Sequence, residues 1–275
     1  MKKIGIIGLG NMGMGIAKNV IKSGYTAMGY DLREECLKEI VSHGGEAAES
    51  VSQVGKLSDV VFVMVMNGNQ VKEVVTQLSP GLKGRGTIII TATITPEEVK
   101  EAYNIAQANN INMVDSPVSG GLQGAHEGTL TLMTAADEKT FQDCKNILES
   151  ISKNMIHVGT NIGDGQTVKA SLQSFIGATF TAIFESLVLG SKAGIDGQTL
   201  YDVFSTSGVS SPLFKNCAKL IMDRKFENTG SHISTMYKDL GITMDMAKKN
   251  GVPMFTTGAA FELFQAGISM YPEGG

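Results

Sequence analysis

A lysine at position 169 is followed four residues later by Gln173. Residues four apart share one face of a helix. The pair therefore sets an amine that can exchange a proton beside an amide that can orient it. A lysine on a helix is most often solvated, but Ala170, Leu172, Phe175 and Ile176 around this one are mostly apolar. Upstream, Ser119-Gly120-Gly121 closes the stretch Asp115-Ser-Pro-Val-Ser-Gly-Gly, which follows an apolar strand signal at 111–115. Backbone N–H groups bared by paired glycines can cup a carboxylate. The same residues could also be a plain β-turn. At the carboxyl edge of an open α/β sheet, where ligands bind, the cup is the stronger reading. A base and an anion cup are what removing a proton from a small acid requires.

The amino terminus adds a second constellation. Gly8-Leu9-Gly10-Asn11-Met12-Gly13 lies between an apolar strand (2–8) and a helical stretch that Gly24 closes. Gly-x-Gly-x-x-Gly alone is a weak signal; between a strand and a helix it is a strong one. The first glycine permits the tight turn, the second lets backbone approach a pyrophosphate, and the third lets helix and strand pack closely. The helix amino terminus then offers unpaired N–H groups to phosphates. Asp31, at the end of the next strand (26–31), is placed to accept from ribose hydroxyls. Arg33 beside it could greet a 2′-phosphate, but Asp31 would repel one, so NAD is expected over NADP.

These residues need a frame. Apolar strands at 2–8, 26–31, 59–66, 86–93 and 111–115 alternate with helical stretches such as 96–110. That alternation predicts βαβ units and a parallel sheet, with 129–135 and 153–159 as closing strands. After Gly165 the pattern becomes wholly helical. A run from about 164 to 193 has no proline and would span roughly 45 Å. Further helices are expected at 197–206, 211–223, 232–249 and 255–270. The expected architecture is an α/β Rossmann domain over 1–162, followed by an all-helical substrate and dimerisation domain over 163–275. The long helix joins them and turns its Lys169 face toward the cleft.

Bulk properties narrow the classes. The 275-residue chain is 42% hydrophobic and 18% charged, with a net charge of -4, which is ordinary for a folded protein. No basic run marks a nucleic-acid footprint. Cys36, Cys144 and Cys217 lack metal or disulfide spacing, and His43, His126, His157 and His232 lack ligand spacing, so no metal is expected. Free cysteines suit a reducing cytoplasm. The amino-terminal lysines and apolar residues resemble a signal peptide, but glycines interrupt the run. No apolar run of membrane length is apparent, so no membrane partner is expected.

Together, GLGNMG (8–13), ATITP (92–96), DSPVSGG (115–121), GQTVK (165–169) and KDL (238–240) resemble the β-hydroxyacid dehydrogenase family, which includes 3-hydroxyisobutyrate dehydrogenases and tartronate semialdehyde reductases. The resemblance covers nearly the whole chain. It implies NAD as cofactor, a small hydroxy acid as substrate and a homodimer or homotetramer. It also implies that Ser119, Gly120 and Gly121 hold the substrate carboxylate, with Lys169 as catalytic acid/base. Thr93 and Lys238 would line the nicotinamide end beside Asp239, with Met66 at the neighbouring strand end. Lys169 must be neutral to accept a proton, and burial next to a cationic ring favours that form. The same site would reduce an aldehyde acid in the opposite direction. A non-catalytic NAD-binding protein is the weaker alternative, and retention of Ser119 and Lys169 argues against it. Imine reductases share the architecture but usually replace the lysine. Paired asparagines common in the family are Leu172 and Gln173 here. Asn67, Gln70 and Gln173 resemble the L-threonate dehydrogenase branch, which predicts a polyhydroxylated acid whose extra hydroxyls these amides could bind, although Asn67 and Gln70 could instead cap the following helix and touch only the cofactor. Family chains usually continue into one more helix, whereas this one stops at Glu273-Gly274-Gly275.

Overall fold

The computed structural model describes residues 2–271 apart from 83, 85, 228, 230 and 231. The Glu273-Gly274-Gly275 end lies outside the described residues. The chain forms two compact units, Met1–Lys169 and Ala170–Gly275.

The first unit is built on a sheet. Its strands are β1 (Lys3–Ile7), β2 (Thr26–Tyr30), β3 (Glu46–Ala47), β4 (Val60–Val63), β5 (Thr87–Ile90), β6 (Asn112–Asp115), β7 (Val118–Ser119), β8 (Leu130–Ala135) and β9 (Ser152–Gly159). They lie in the order β3-β2-β1-β4-β5-β6-β8-β7, with β9 beside β8. The interleaved helices are α1 (Asn11–Lys22), α2 (Glu34–Ser42), α3 (Val51–Leu57), α4 (Gly68–Leu82), α5 (Pro96–Gln107), α6 (Gly121–Glu127) and α7 (Glu138–Glu149).

The central strands are apolar on both sides because helices cover both faces. Ile4, Ile6, Phe62 and Ile89 pack on one face with Ile16, Val20 and Phe141. The alternate residues Val61, Val63, Ile88 and Ile90 pack on the other with Val54, Val71, Leu78 and Val99. The sheet is not parallel throughout: β8 runs antiparallel to β6, with Asp115 opposite Ala135, and antiparallel to β7, while β9 runs parallel to β8. The chain reaches β8 through the short α6 rather than a long crossover, so it re-enters the sheet in the opposite sense.

The second unit is helical. α8 (Asp164–Lys192) begins in the first unit and continues into the second, where α9 (Gly197–Thr206), α10 (Pro212–Met222), α11 (Ile233–Lys249) and α12 (Phe255–Met270) follow. These helices agree with the periodicity, gaps and caps of the sequence. Ser211 Oγ, for example, accepts from Phe214 N at 3.1 Å to start α10. By length and composition α8 could cross a membrane, with a mean hydropathy of 1.5 over its most apolar stretch. The sequence reading saw no such run, because small residues such as Gly177 and Ala178 dilute the large apolar ones. Here Ile183 and Leu187 of α8 join Phe214 and Ala218 in one cluster, and Ile176 and Phe180 pack against a second around Met236, Leu240 and Phe264.

Candidate active site

Five candidate segments follow the carboxyl ends of parallel strands: Gly8–Gly13 after β1, Asp31 after β2, Met66 after β4, Thr93 after β5, and Asp115–Ser119 at the end of β6. That is the edge where a doubly wound sheet binds ligands.

Sterics explain the first turn. Gly8 takes φ +86, and its N–H donates to Tyr30 O at 2.9 Å. A Cβ on Gly13 would lie 1.8 Å from Gly8 O, so no side chain fits there. α1 starts from Gly10 with no side-chain cap, leaving its first N–H groups for another acceptor. Leu9 is buried and its N–H donates to Asp31 Oδ2 at 2.8 Å. Asn11 is exposed, and Met12 packs half-buried against the core beneath α1.

Asp31 Oδ1 also accepts from Arg33 N and Nε, both at 3.0 Å, and Oδ2 accepts from Arg33 Nη2 at 3.2 Å. Burial pushes the Asp31 carboxyl up, but the Arg33 bonds and the Leu9 N–H together hold it below the usual range. The guanidinium lies over the glycine turn, 3.3 Å from where a Gly10 Cβ would stand.

Met66 is exposed, and its N–H donates to Gln70 Oε1 at 2.9 Å, while Asn67 Oδ1 accepts from Gln70 N at 3.0 Å. Both amide oxygens are thus engaged in starting α4. The sequence allows these two amides either to cap the following helix or to meet substrate hydroxyls, and their oxygens here go to backbone at the start of α4.

The glycine-bearing segment after β6 begins with Asp115, fully buried, its carboxyl pushed up to about 6 by burial against the lowering effect of hydrogen bonds from Gly163, Gln166 and Gly165. Ser116 Oγ and Thr134 Oγ1 bond at 2.9 Å beneath it. Ser119 is half-buried, opposite Thr131 of β8. Gly120 and Gly121 follow, exposed, with φ of +131 and +63. These are values that side-chain-bearing residues adopt only with strain. Asn19 of α1 holds what comes next: its Nδ2 donates to Gly15 O (2.9 Å), Ala125 O (2.8 Å) and His126 O (3.1 Å). Sequence reasoning missed Asn19, since an asparagine inside an amphipathic helix carries no mark of its partner.

Lys169 is buried, 6% exposed, near the start of α8. In the second unit Gln173 is equally buried, and its Nε2 donates to Asp239 Oδ2 at 2.6 Å. Asp239 is 4% exposed and pairs through Oδ1 with Lys238 Nζ at 2.9 Å. A carboxylate only accepts, so Asp239 fixes which end of the Gln173 amide faces it. The sequence reading placed Lys238 and Asp239 together but did not see this tie to Gln173.

Comparison with known proteins gives the family of the chain. Residues 3–159 match the NAD binding domain of 6-phosphogluconate dehydrogenase. Residues 163–274 match the family described as NAD-binding of NADP-dependent 3-hydroxyisobutyrate dehydrogenase. The chain is 34% identical to 2-(hydroxymethyl)glutarate dehydrogenase of Eubacterium barkeri, over 98% of this chain and 90% of that protein. It is 29% identical to L-threonate dehydrogenase of Cupriavidus necator, over 96% and 89%. The crystal structure of 3-hydroxyisobutyrate dehydrogenase from Salmonella typhimurium superposes with a TM-score of 0.91 at 28% identity, covering 98% of this chain and 95% of that one.

Proposed function

The chain belongs to the 3-hydroxyisobutyrate dehydrogenase-like family of NAD-dependent hydroxy-acid dehydrogenases, and from that premise we propose which of its residues carry the reaction and on what substrate. The observation that carries the proposal is a buried lysine, Lys169, at the head of the helix that follows the sheet edge bearing Ser119–Gly121.

NAD, when bound, supplies the hydride acceptor for the carbinol carbon of the hydroxy acid. The turn Gly8–Gly13 and the uncapped start of α1 suit its pyrophosphate, because a Cβ-free surface and unpaired N–H groups meet there. Asp31 takes the adenosine ribose hydroxyls once Arg33 swings aside. That rim pair is half exposed on the arginine side, and pairs of this kind contribute little. Met66, Thr93 and Lys238 serve the nicotinamide end. Ser119 and the N–H groups at Gly120 and Gly121 hold the substrate carboxylate. Lys169 Nζ takes the hydroxyl proton in oxidation and returns it in reduction. Gln173, anchored by Asp239, orients the amine or the hydroxyl.

The substrate is a short hydroxy acid whose carboxylate lies near the reacting carbon. With Asn67 and Gln70 capping α4, the case for a polyhydroxylated acid rests on Gln173. The enzyme works in the cytoplasm as a homodimer or homotetramer. The support for association is the apolar surface of α8, where Val188 and Leu189 are 59% and 72% exposed.

The test is a panel of L-threonate, glycerate, 3-hydroxyisobutyrate and 2-(hydroxymethyl)glutarate with NAD⁺, followed by NADH absorbance. At least one should turn over. Preference for 3-hydroxyisobutyrate removes the polyhydroxy reading, and silence on every acid in both directions removes the proposed roles.

A further inference from the structure

Asp115 ends β6 with no exposed surface at all. Nothing in the hydride-transfer scheme uses it. A buried carboxylate with no task is costly, so its partners matter. Its Oδ2 accepts from Gly163 N at 2.9 Å and from Gln166 N at 3.2 Å. Its Oδ1 accepts from Gln166 Nε2 at 2.9 Å. The carboxylate therefore sits at the amino end of α8 and satisfies N–H groups that a helix leaves unpaired there. It does from another strand what a capping residue does from within the chain. The positive end of the helix dipole favours a negative group at this place.

Gln166 extends the tie. The same Nε2 donates to Ala92 O at 3.0 Å, and Oε1 accepts from Ile94 N at 3.1 Å. Ala92 and Ile94 flank Thr93. One carboxylate and one amide thus join three segments: the end of β6 that leads to Ser119, the loop that carries Thr93, and the first turn of α8. Gly165 closes the fit. A Cβ there would stand 2.6 Å from Met133 O and 2.9 Å from Asp115 O, so the helix lies flush on the strand ends. Lys169 follows Gly165 by four residues and Gln166 by three, on the face that these contacts press against the sheet edge.

We propose that Asp115 and Gln166 act as one positioning unit for Lys169, fixing the depth and rotation of α8 so that the amine meets the hydroxyl held by the Ser119 loop. The proposal rests on Lys169 being the acid/base. Displacement of a reacting group by an ångström, caused from outside the site, costs rate while binding survives.

The experiment compares Asp115→Asn, Gln166→Met, the double variant and Lys169→Ala in the full-length enzyme. Asn keeps the shape of Asp115 but turns an amide donor toward Gln166 Nε2; Met keeps the length of Gln166 and removes its bonds. Each single variant should lose about 10- to 100-fold in kcat, with the KM of the acid and the Kd of NAD held within about threefold. The acidic limb of the pH profile of kcat/KM should move, because the surroundings of Lys169 change. The double variant should be no slower than the worse single one, as for residues that act as a unit. A role in stability alone predicts a lower Tm with kcat per folded enzyme and the pH limb unchanged, and that result overturns the proposal if Lys169→Ala is inactive. An active Lys169→Ala removes the acid/base reading itself, and the positioning role with it. If Asp115→Asn does not fold, Gln166→Met alone decides by the same readouts.

Discussion

The two units differ in how completely they bury their own apolar surface. The sheet unit fills both faces, with Phe62, Ile88, Ile89 and Ile90 fully buried between covering helices. The helical unit has two small clusters of four buried residues each among the described residues. Only 22% of the most apolar stretch of α8 is buried. Phe184, Val188, Leu263 and Phe264 line an open apolar groove of about 400 Å³. A monomeric surface rarely leaves so much large apolar area together unless another surface covers it. The first unit is thus finished by its own chain, whereas the second leaves apolar surface open. Burial also separates the polar groups: Asp115 and Lys169, the proposed positioning group and acid/base, belong to the finished unit, which can hold polar groups dry and fixed.

The largest effect should come from Lys169→Ala. Turnover should fall on the order of 10²- to 10⁴-fold, as for other acid/base groups. The glycine turn and Asp31 remain intact, so titration with NAD should give an unchanged Kd. Retained turnover would take the chemistry away from the finished unit.

Next is a pH effect on stability. The Asp115 carboxyl is raised to about 6 in the fold, so the folded chain holds its proton more tightly than the unfolded chain. Its contribution is complete below about pH 4 and is lost as pH rises through about 6. Urea titrations should show the wild type losing on the order of 3 kcal/mol over that window relative to Asp115→Asn. Parallel curves for the two proteins would show that the first unit does not hold this carboxylate as described.

A smaller energy tests the other side of the contrast. Leu189→Lys should convert the wild-type oligomer to monomer in sedimentation, since each covered leucine contributes about 1.5–3 kcal/mol. NAD affinity should not change. A wild-type monomer at micromolar concentration would falsify the proposed association.

The smallest effect concerns cofactor choice. Asp31→Ser removes a charged acceptor, worth about 1.5–3 kcal/mol in hydrogen bonding. The ratio of kcat/KM for NAD over NADP should fall at least about tenfold. An unchanged ratio would mean that discrimination lies elsewhere on the turn.

The legibility of these features in the sequence follows their physics. Gly8–Gly13 is readable because each glycine answers a local steric demand that stays within a few residues. The helices from α9 to α12 are readable because Gly194, Ser211 and Pro253 punctuate them. The reversal of β8 is not readable: Leu130–Ala135 has the same apolar character whichever way it runs. The ring around Asp115 is hidden because its partner Gly163 is 48 residues away. An aspartate closing an apolar strand is the one sign that something must pair with it. Asn67 and Gln70 show the converse. Amides just ahead of a helical stretch are expected to serve its first turn, and the oxygens of these two do so.

The Asn19 clamp bears on how this enzyme could be re-tailored. The segment after Gly121 is not a free surface loop that can be lengthened or exchanged alone. Its α6 is bolted to α1, where a Cβ on Gly15 would already stand 2.6 Å from the Ala125 backbone. A chimera that imports the 116–128 segment from a relative must therefore import the matching face of α1, Gly15 and Asn19 included. The Ser119–Gly121 segment and the Gly8–Gly13 turn are inherited as one cassette, although about a hundred residues separate Asn19 from the Ala125 carbonyl that ties them.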